Sequence, residues 1–143
     1  MVKPQVVIAK LAKLEERVDR VRQHAHASSA ALATDRDSVD IVTLNLMLAV
    51  QGCLDIASHI IADEGWRSAA SLGESIERLA EHEVIGRSTA DALKKAAGLR
   101  NVVVHAYDTV RPDQLFAAAT TGLADLDAFA REVSRWLATR PAG

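Results

Sequence analysis

The segment 99–108 holds the side chains best suited to chemistry: Arg100, Asn101, His105 and Tyr107, the only tyrosine of the chain. On a helix, Asn101 and His105 share a face because they are four residues apart, and Arg100 and Tyr107 share another because they are seven apart. Arg100 and His105 differ by about 140° around an ideal helix, and the long arginine arm can bridge part of that angle. The guanidinium of Arg100 and the imidazole of His105 can therefore approach one phosphate. The spacing alone fits equally well an arginine on the surface, a histidine whose positive charge interacts favourably with the C-terminal end of the helix dipole, and a tyrosine at the edge of the core.

A second polar feature interrupts a mostly apolar segment earlier in the chain. Five side chains fall within about a third of the circumference of a helix there, taking roughly 100° per residue: Asn45, Gln51, Asp55, His59 and Asp63. Such a stripe must meet water, a partner chain or a ligand. Asp55 and His59 could form half of a metal site, but no third ligand is evident, so we expect no metal and a role at a cleft or dimer surface.

Hydrophobic periodicity predicts the helices that position these residues. The first runs from about Gln5 to the high 20s, with Val7, Leu11, Leu14, Val18, Val21 and Ala25 as its apolar seam, and leads into a loop through residues 34–36. The second begins near Asp37 or Ser38, either of which can cap it, and continues to about Ile61. It is apolar on most sides, as the central helix of a bundle is.

Capping signals and breakers delimit the remaining helices. Ser71 to Glu74 matches a capping box that starts a short third helix, and Gly86 is expected to end it. A similar box at Ser88 starts the fourth helix, which we expect to run to about Tyr107. Arg111-Pro112 stops that helix and can open the fifth, whose apolar seam reaches Leu137.

The predicted fold is therefore all-α: an antiparallel bundle of four long helices plus a shorter one, forming a single domain over residues 1–143. Residues 139–143 are expected to be a flexible tail. The β-branched run Val102–Val104 could by itself be a strand. It is expected to be helical because a capped, alanine-rich helix leads into it.

Composition excludes several classes of function. The net charge is -2, which excludes a basic protein that coats nucleic acid non-specifically but not a local basic cleft. Aromatic residues make up 3%, too few for a platform that stacks many bases. The single cysteine, Cys53, excludes an internal disulfide and a cysteine-built zinc site. The start of the chain lacks a signal-peptide pattern and the apolar run at 44–50 is too short to span a bilayer, so a cytoplasmic location is expected.

The pattern Arg-x4-His-x-Tyr late in a helical bundle, preceded by Gly98-Leu99 and with Asn101 after the arginine, resembles the HEPN superfamily. More narrowly it is similar to the HepT-like toxins of HepT/MntA toxin–antitoxin pairs. The resemblance covers nearly the whole chain and includes the run from Gln51 to His59 in the second helix. The proline often found in the loop before the family's third helix is missing here.

The resemblance implies a metal-independent endoribonuclease that acts as a homodimer and needs no cofactor. RNA supplies its own nucleophile, the 2′-OH. His105 would act as general acid or base, Arg100 would stabilise the charge on the phosphorane, and Asn101 would orient the histidine or bind a phosphate oxygen. A dimer would bring two copies of Arg100 and His105 into one cleft. The RNA, whether tRNA or mRNA, would also contact the polar stripe and a basic rim, Lys94 and Lys95 with Arg87 as a further candidate.

By the same resemblance Tyr107 would be the regulatory site. A MntA-type minimal nucleotidyltransferase, acting as antitoxin, would transfer AMP from ATP to the tyrosine hydroxyl. Each added phosphate places bulk and negative charge where the RNA phosphate binds, which would block the cleft. Two alternatives stay open: a non-catalytic module that binds a nucleotide or a nucleotidyltransferase, and a structural four-helix adaptor. Lys94 and Lys95 would then be a solvated face.

Overall fold

The computed structural model describes residues 1–105 and 111–141, and within these ranges the chain is helical with no strand. The seven helices are α1 (Pro4–His24), α2 (Ser29–Ala33), α3 (Arg36–Glu64), α4 (Leu72–Glu81), α5 (Arg87–His105), α6 (Pro112–Ala119) and α7 (Thr121–Ala138). The four long ones are α1, α3, α5 and α7. The predicted all-α bundle of four long helices is confirmed, and three short helices accompany them instead of one.

The core forms along the predicted apolar seams. In α1, Val7, Leu11, Leu14, Val18 and Val21 are buried, and they pack mainly against α3. Phe129 and Val133 of α7 are fully buried in the same core. Burial of apolar surface on this scale is the main source of stability in a bundle of this size. Cys53 is 1% exposed, as expected of a small hydrophobic residue in the central helix.

Long-range contacts fix the directions of the helices. Arg17 donates to Asn45 at 3.5 Å, and the amino group of Met1 donates to the carbonyl of Asp63, so α1 and α3 are antiparallel. Trp66, just after α3, meets Trp136 near the end of α7, with ring centroids 6.1 Å apart. Glu132 of α7 contacts the start of α5. The start of α5 therefore lies with the ends of α3 and α7, and the end of α5 lies at the other end of the bundle.

The first two helix boundaries differ from the prediction. Asp35, not Asp37 or Ser38, caps α3: its side chain accepts from the Ser38 backbone N–H at 3.2 Å, and His26 contacts its second oxygen at 3.0 Å. The helix therefore begins one turn earlier. The segment expected to be a loop also contains α2, which Ser28 caps by accepting from the Ala31 N–H. At the other end, α3 runs past Ile61 to Glu64 and stops at Gly65, whose φ of 71° suits glycine.

Two further predictions of helix bounds differ from the structure. The third helix ends at Glu81 rather than at Gly86, and the chain turns at Glu83 with a φ of 59°. Val84 and Ile85, which follow, are buried at 2% and 4% exposure, so packing of this pair ends the helix earlier than the glycine would. The predicted fifth helix is broken at Thr120 into α6 and α7. The Thr120 hydroxyl donates to the Phe116 carbonyl at 2.7 Å, which replaces a helical hydrogen bond at the break.

Helix α3 is, by length and composition, apolar enough to cross a membrane. More than half of its most apolar window is buried inside the bundle, which is the pattern of a core helix. Its exposed side carries two leucines, Leu44 at 52% and Leu48 at 36% exposure.

Candidate active site

The candidate catalytic residues lie on the last turns of α5. Arg100, Asn101 and His105 all fall within its helical backbone, so the β-branched run between them is helical, as predicted. Tyr107, the candidate modification site, lies outside the described residues. His105 is 18 residues after Arg87, about 27 Å along the axis of an ideal helix, so the motif lies at the end of the bundle away from Trp66.

The start of α5 is clamped by an acidic residue of α7. The Glu132 carboxylate accepts from the Gly86 backbone N–H at 2.6 Å and from the Thr89 hydroxyl at 2.5 Å. A carboxylate at a helix N-terminus satisfies free N–H groups and interacts favourably with the helix dipole. Glu132 therefore does the work predicted for the Ser88 capping box, and it does so from another helix.

A second clamp joins α5 to α4 through Glu77. The Arg87 guanidinium donates to both Glu77 oxygens at 2.7 Å, and the Lys94 ammonium donates to one of them. The hydrogen bonds from Arg87, and then from Lys94, lower the pKa of Glu77 to about 2. The same contact with Glu77 raises the pKa of Arg87. Glu77 pairs with both cations, and Asp91 also lies 3.6 Å from Arg87, so Arg87 and Lys94 are engaged in ion pairs that hold α5 against α4.

Lys95 has a different environment. Its side chain is exposed and lies on the rim of a cavity among α3, α5, α6 and α7. In the described part of the chain it makes no hydrogen bond or ion pair. Of the two predicted lysine contacts, Lys95 is the one that has no acidic partner among the described residues.

The polar stripe of α3 divides into separate pairs. Asn45 is 4% exposed and does not meet solvent: its amide donates to the Ile41 carbonyl at 2.8 Å and its oxygen accepts from Arg17 of α1. The expectation that every member of the stripe meets water, a partner or a ligand is wrong for this residue. Gln51 donates to Asp55 at 3.0 Å on the surface of the helix.

The last pair of the stripe is half-buried. His59 Nε2 lies 3.1 Å from Asp63 Oδ2, each side chain about a quarter exposed, and the two atoms do not meet at a hydrogen-bonding angle. Asp63 is next to the end of α3, so this pair lies at the end of the bundle opposite His105. Within one chain the structure does not bring His59 to the motif. Among the described residues no cluster of three or more His, Cys, Asp or Glu side chains could hold a metal.

The fold and the placement of the motif define a class: an all-helical HEPN-type domain with an Arg-x4-His motif at the end of α5, its third long helix. Residues 14–133 match the family described as Ribonuclease HepT-like. The chain belongs to this family.

Relatives from two bacteria are nucleases by name. The mRNA nuclease HepT of Shewanella oneidensis is 30% identical over 124 residues, which cover 87% of this chain and 92% of the relative. The tRNA nuclease HepT of Aphanizomenon flos-aquae is 22% identical over 138 residues, 96% of this chain and 94% of the relative.

Two solved structures share the fold of this chain. A tri-AMPylated HEPN toxin of Shewanella oneidensis in complex with an MNT antitoxin superposes with a TM-score of 0.83 at 28% identity, covering 91% of this chain and 97% of that one. The Bacillus subtilis protein YutE, described as cytosolic and of unknown function, has a TM-score of 0.85 at 16% identity over 99% of this chain and 95% of its own. It shares the fold.

Proposed function

We propose that this chain is the ribonuclease toxin of a toxin–antitoxin pair and that Arg100 and His105 carry out the cleavage. The observation that carries the proposal is the placement of Arg100, Asn101 and His105 on the last turns of one helix in a chain that matches the HepT-like family over residues 14–133. Nuclease relatives that cover most of the chain support it.

The reaction needs only groups that the chain and the RNA supply. The 2′-oxygen attacks the adjacent phosphorus while His105 accepts its proton, and the 5′-oxygen leaves with a proton donated by a second imidazole. Arg100 binds the non-bridging oxygens and stabilises the charge of the phosphorane, and Asn101 orients the reacting groups. The products are a 2′,3′-cyclic phosphate and a 5′-hydroxyl, and no metal ion takes part.

A homodimer supplies the second imidazole. The exposed leucines Leu44 and Leu48 lie on the N-terminal half of α3, which is at the same end of the bundle as the end of α5. Contact through this half of α3 would bring the C-terminal ends of the two α5 helices, which carry the motif, towards each other. It would also bury apolar surface that is otherwise in water. We infer that the protein is cytoplasmic and that its partner is a MntA-type nucleotidyltransferase.

The antitoxin would inactivate the protein by AMPylation of Tyr107. The hydroxyl oxygen of Tyr107 attacks the α-phosphorus of ATP, loses its proton and releases pyrophosphate. Because Tyr107 follows His105 by two residues, the new phosphate places negative charge beside the site that binds the RNA phosphate. The AMPylated relative in complex with its antitoxin supports this step.

Cleavage of labelled tRNA and mRNA by the purified protein tests the function. Wild-type protein should cleave with excess EDTA present, and His105→Ala and Arg100→Ala should each be at least about a hundredfold slower, the usual contribution of one acid–base or oxyanion group. Wild-type protein that binds RNA without cleaving it would favour the binding module. Cleavage that EDTA abolishes would contradict the metal-free reaction.

Two matched comparisons test the dimer and the switch. Leu44→Asp should dissociate the dimer and abolish cleavage, whereas Ile8→Asp, at a similarly exposed position of α1 (57%), should do neither. Equal effects of the two changes would contradict the α3 contact. Co-expression with the antitoxin should add mass in steps of one AMP, and Tyr107→Phe should remove these steps. AMP on the Tyr107→Phe protein would contradict the assignment of the tyrosine.

A further inference from the structure

A cavity of about 660 Å³ opens among α3, α5, α6 and α7 and takes part in none of the steps above. Small residues form part of its walls: Ala92 and Ala96 on α5, Ala117 and Ala118 on α6, and Gly122 on α7. Larger apolar side chains complete the lining, among them Leu46 and Met47 of α3. Larger side chains at the positions of the small residues would fill the space, so the cavity depends on alanines of two helices and a glycine of a third. Its volume is that of a small-molecule site.

The rim of the cavity carries polar side chains that have no partner among the described residues. Lys95, Gln114 and Asp125 line it, and none of these three side chains makes a hydrogen bond or ion pair in the described part of the chain. Asp91 also lines it and lies 3.6 Å from Arg87. An apolar pocket with a few converging polar groups is the usual architecture of an organic ligand site.

The charges of the rim select the kind of ligand. Two carboxylates, Asp91 and Asp125, stand against one ammonium, Lys95, so a phosphate group would be repelled from the interior. A neutral, flat group with hydrogen-bond donors on its edge fits better. Carboxylates only accept hydrogen bonds, and the Gln114 amide both donates and accepts. These are the groups with which proteins read the edges of nucleobases.

The position along α5 relates the cavity to the candidate site. Lys95 precedes Arg100 by five residues and His105 by ten, about 7.5 Å and 15 Å along an ideal helix. A single RNA strand whose backbone crosses the motif therefore has bases within reach of the cavity, and the Lys95 ammonium at its rim can meet the phosphate that leads into it.

We propose that this cavity binds one unpaired nucleobase of the RNA, a few nucleotides from the cleaved bond, and selects bases with an exocyclic amino group over uracil. The base stacks between the alanine-lined walls, and its amino group donates to Asp125. Uracil has no exocyclic amino group, and its one edge donor, N3–H, lies between two carbonyl oxygens that would both face the carboxylate. This assignment rests on the proposed ribonuclease function and extends it to sequence preference.

Nucleotide binding to the intact ¹⁵N-labelled protein, followed by NMR, tests the assignment. AMP, CMP and GMP should shift the amide signals of cavity residues, and UMP should bind about tenfold more weakly, the discrimination that one base-edge contact provides. Asp125→Asn should remove this preference because an amide can also donate to a carbonyl. Ala118→Trp should fill the cavity and abolish binding, and the matched change Ala124→Trp, at an exposed position of α7, should leave binding unchanged.

Four results would overturn the assignment. Three concern binding: equal binding of all four nucleotides to the wild type, shifts confined to residues outside the cavity, or retained preference in Asp125→Asn. The fourth is dissociation of the dimer by Ala118→Trp, which would identify the cavity as a subunit contact. Binding does not require cleavage, so the two proposals fail separately. Protein that binds amino-bearing nucleotides but leaves all RNA intact would refute the ribonuclease function and keep the base site.

Discussion

Glu132→Ala should destabilise the protein far more than removal of an acid from a surface ion pair on the same helix. Glu132 makes two charge-assisted hydrogen bonds, to the exposed Gly86 N–H and to the Thr89 hydroxyl, whose residue is 7% exposed. The contact with Thr89 should contribute about 1.5–3 kcal/mol, and the exposed contact at the helix N-terminus about 0.5–1 kcal/mol. The expected loss in the free energy of unfolding is therefore about 2–4 kcal/mol.

The control is Asp127→Ala, which also removes an acid of α7 that contacts another helix. Asp127 pairs with Arg22 of α1, but the two side chains are 42% and 48% exposed. Exposed ion pairs contribute about 0–1 kcal/mol, so this variant should lose less than about 1 kcal/mol. The contrast isolates the clamp on α5 from the general effect of losing an acid on α7.

Urea denaturation followed by circular dichroism at 222 nm measures both losses. A double-mutant cycle with Thr89→Val should give a coupling energy of at least about 1 kcal/mol between Thr89 and Glu132, because the two side chains share one hydrogen bond. Equal losses in Glu132→Ala and Asp127→Ala, or a coupling energy near zero, would refute the view that Glu132 anchors the start of the motif helix.

Three further predictions concern groups whose surroundings the structure defines. Arg78 is 3% exposed and donates to Glu74, Glu81 and the carbonyls of the loop before α4. Because the Glu74 and Glu81 side chains are 36% and 47% exposed and stay solvated, Arg78→Ala should cost about 1.5–3 kcal/mol by urea denaturation, and a loss below about 1 kcal/mol would contradict a structural role. The pKa of Glu77 is lowered from 4.5 to about 2, so its contribution to stability is present above pH 4.5 and is lost as the pH falls towards 2. The stabilities of wild type and Glu77→Gln should therefore differ by a constant amount above pH 4.5 and converge as the pH falls to 2, and a difference that stays constant down to pH 2 would contradict the clamp. Burial raises the pKa of the Cys53 thiol, so a thiol reagent should react only on global unfolding, and fast labelling of the folded protein would contradict that burial.

The long helices could be predicted because their apolar periodicity records burial directly. The seam of α1, from Val7 to Val21, is buried as its spacing predicts. Boundaries were less predictable where neighbouring residues compete. Asp35, Asp37 and Ser38 can all cap α3, and the contacts of Asp35 with Ser38 and with His26, which lies in another loop, decide among them. Such a choice depends on tertiary structure, which periodicity does not contain.

The candidate site, too, could be predicted only in part from the sequence. Residue types and spacing were enough to place Arg100 and His105 on one helix. They could not reveal that Glu77 neutralises Lys94, or that Glu132, 46 residues away in the chain, contacts Gly86. Glu77 and Glu132 both lie on amphipathic helices. On such a helix the sequence does not distinguish a glutamate that binds another helix from one that is solvated. The cavity likewise depends on small residues of three helices, alanines on α5 and α6 and Gly122 on α7, that only the fold brings together.

The most direct test of the account is single-turnover cleavage of a defined RNA by the purified protein, with the ends of the products identified by mass spectrometry. Wild-type protein in EDTA should give 2′,3′-cyclic phosphate and 5′-hydroxyl ends, and His105→Ala should lose these products while it retains the folded state. Products with 3′-hydroxyl and 5′-phosphate ends, or undiminished cleavage by His105→Ala, would contradict it.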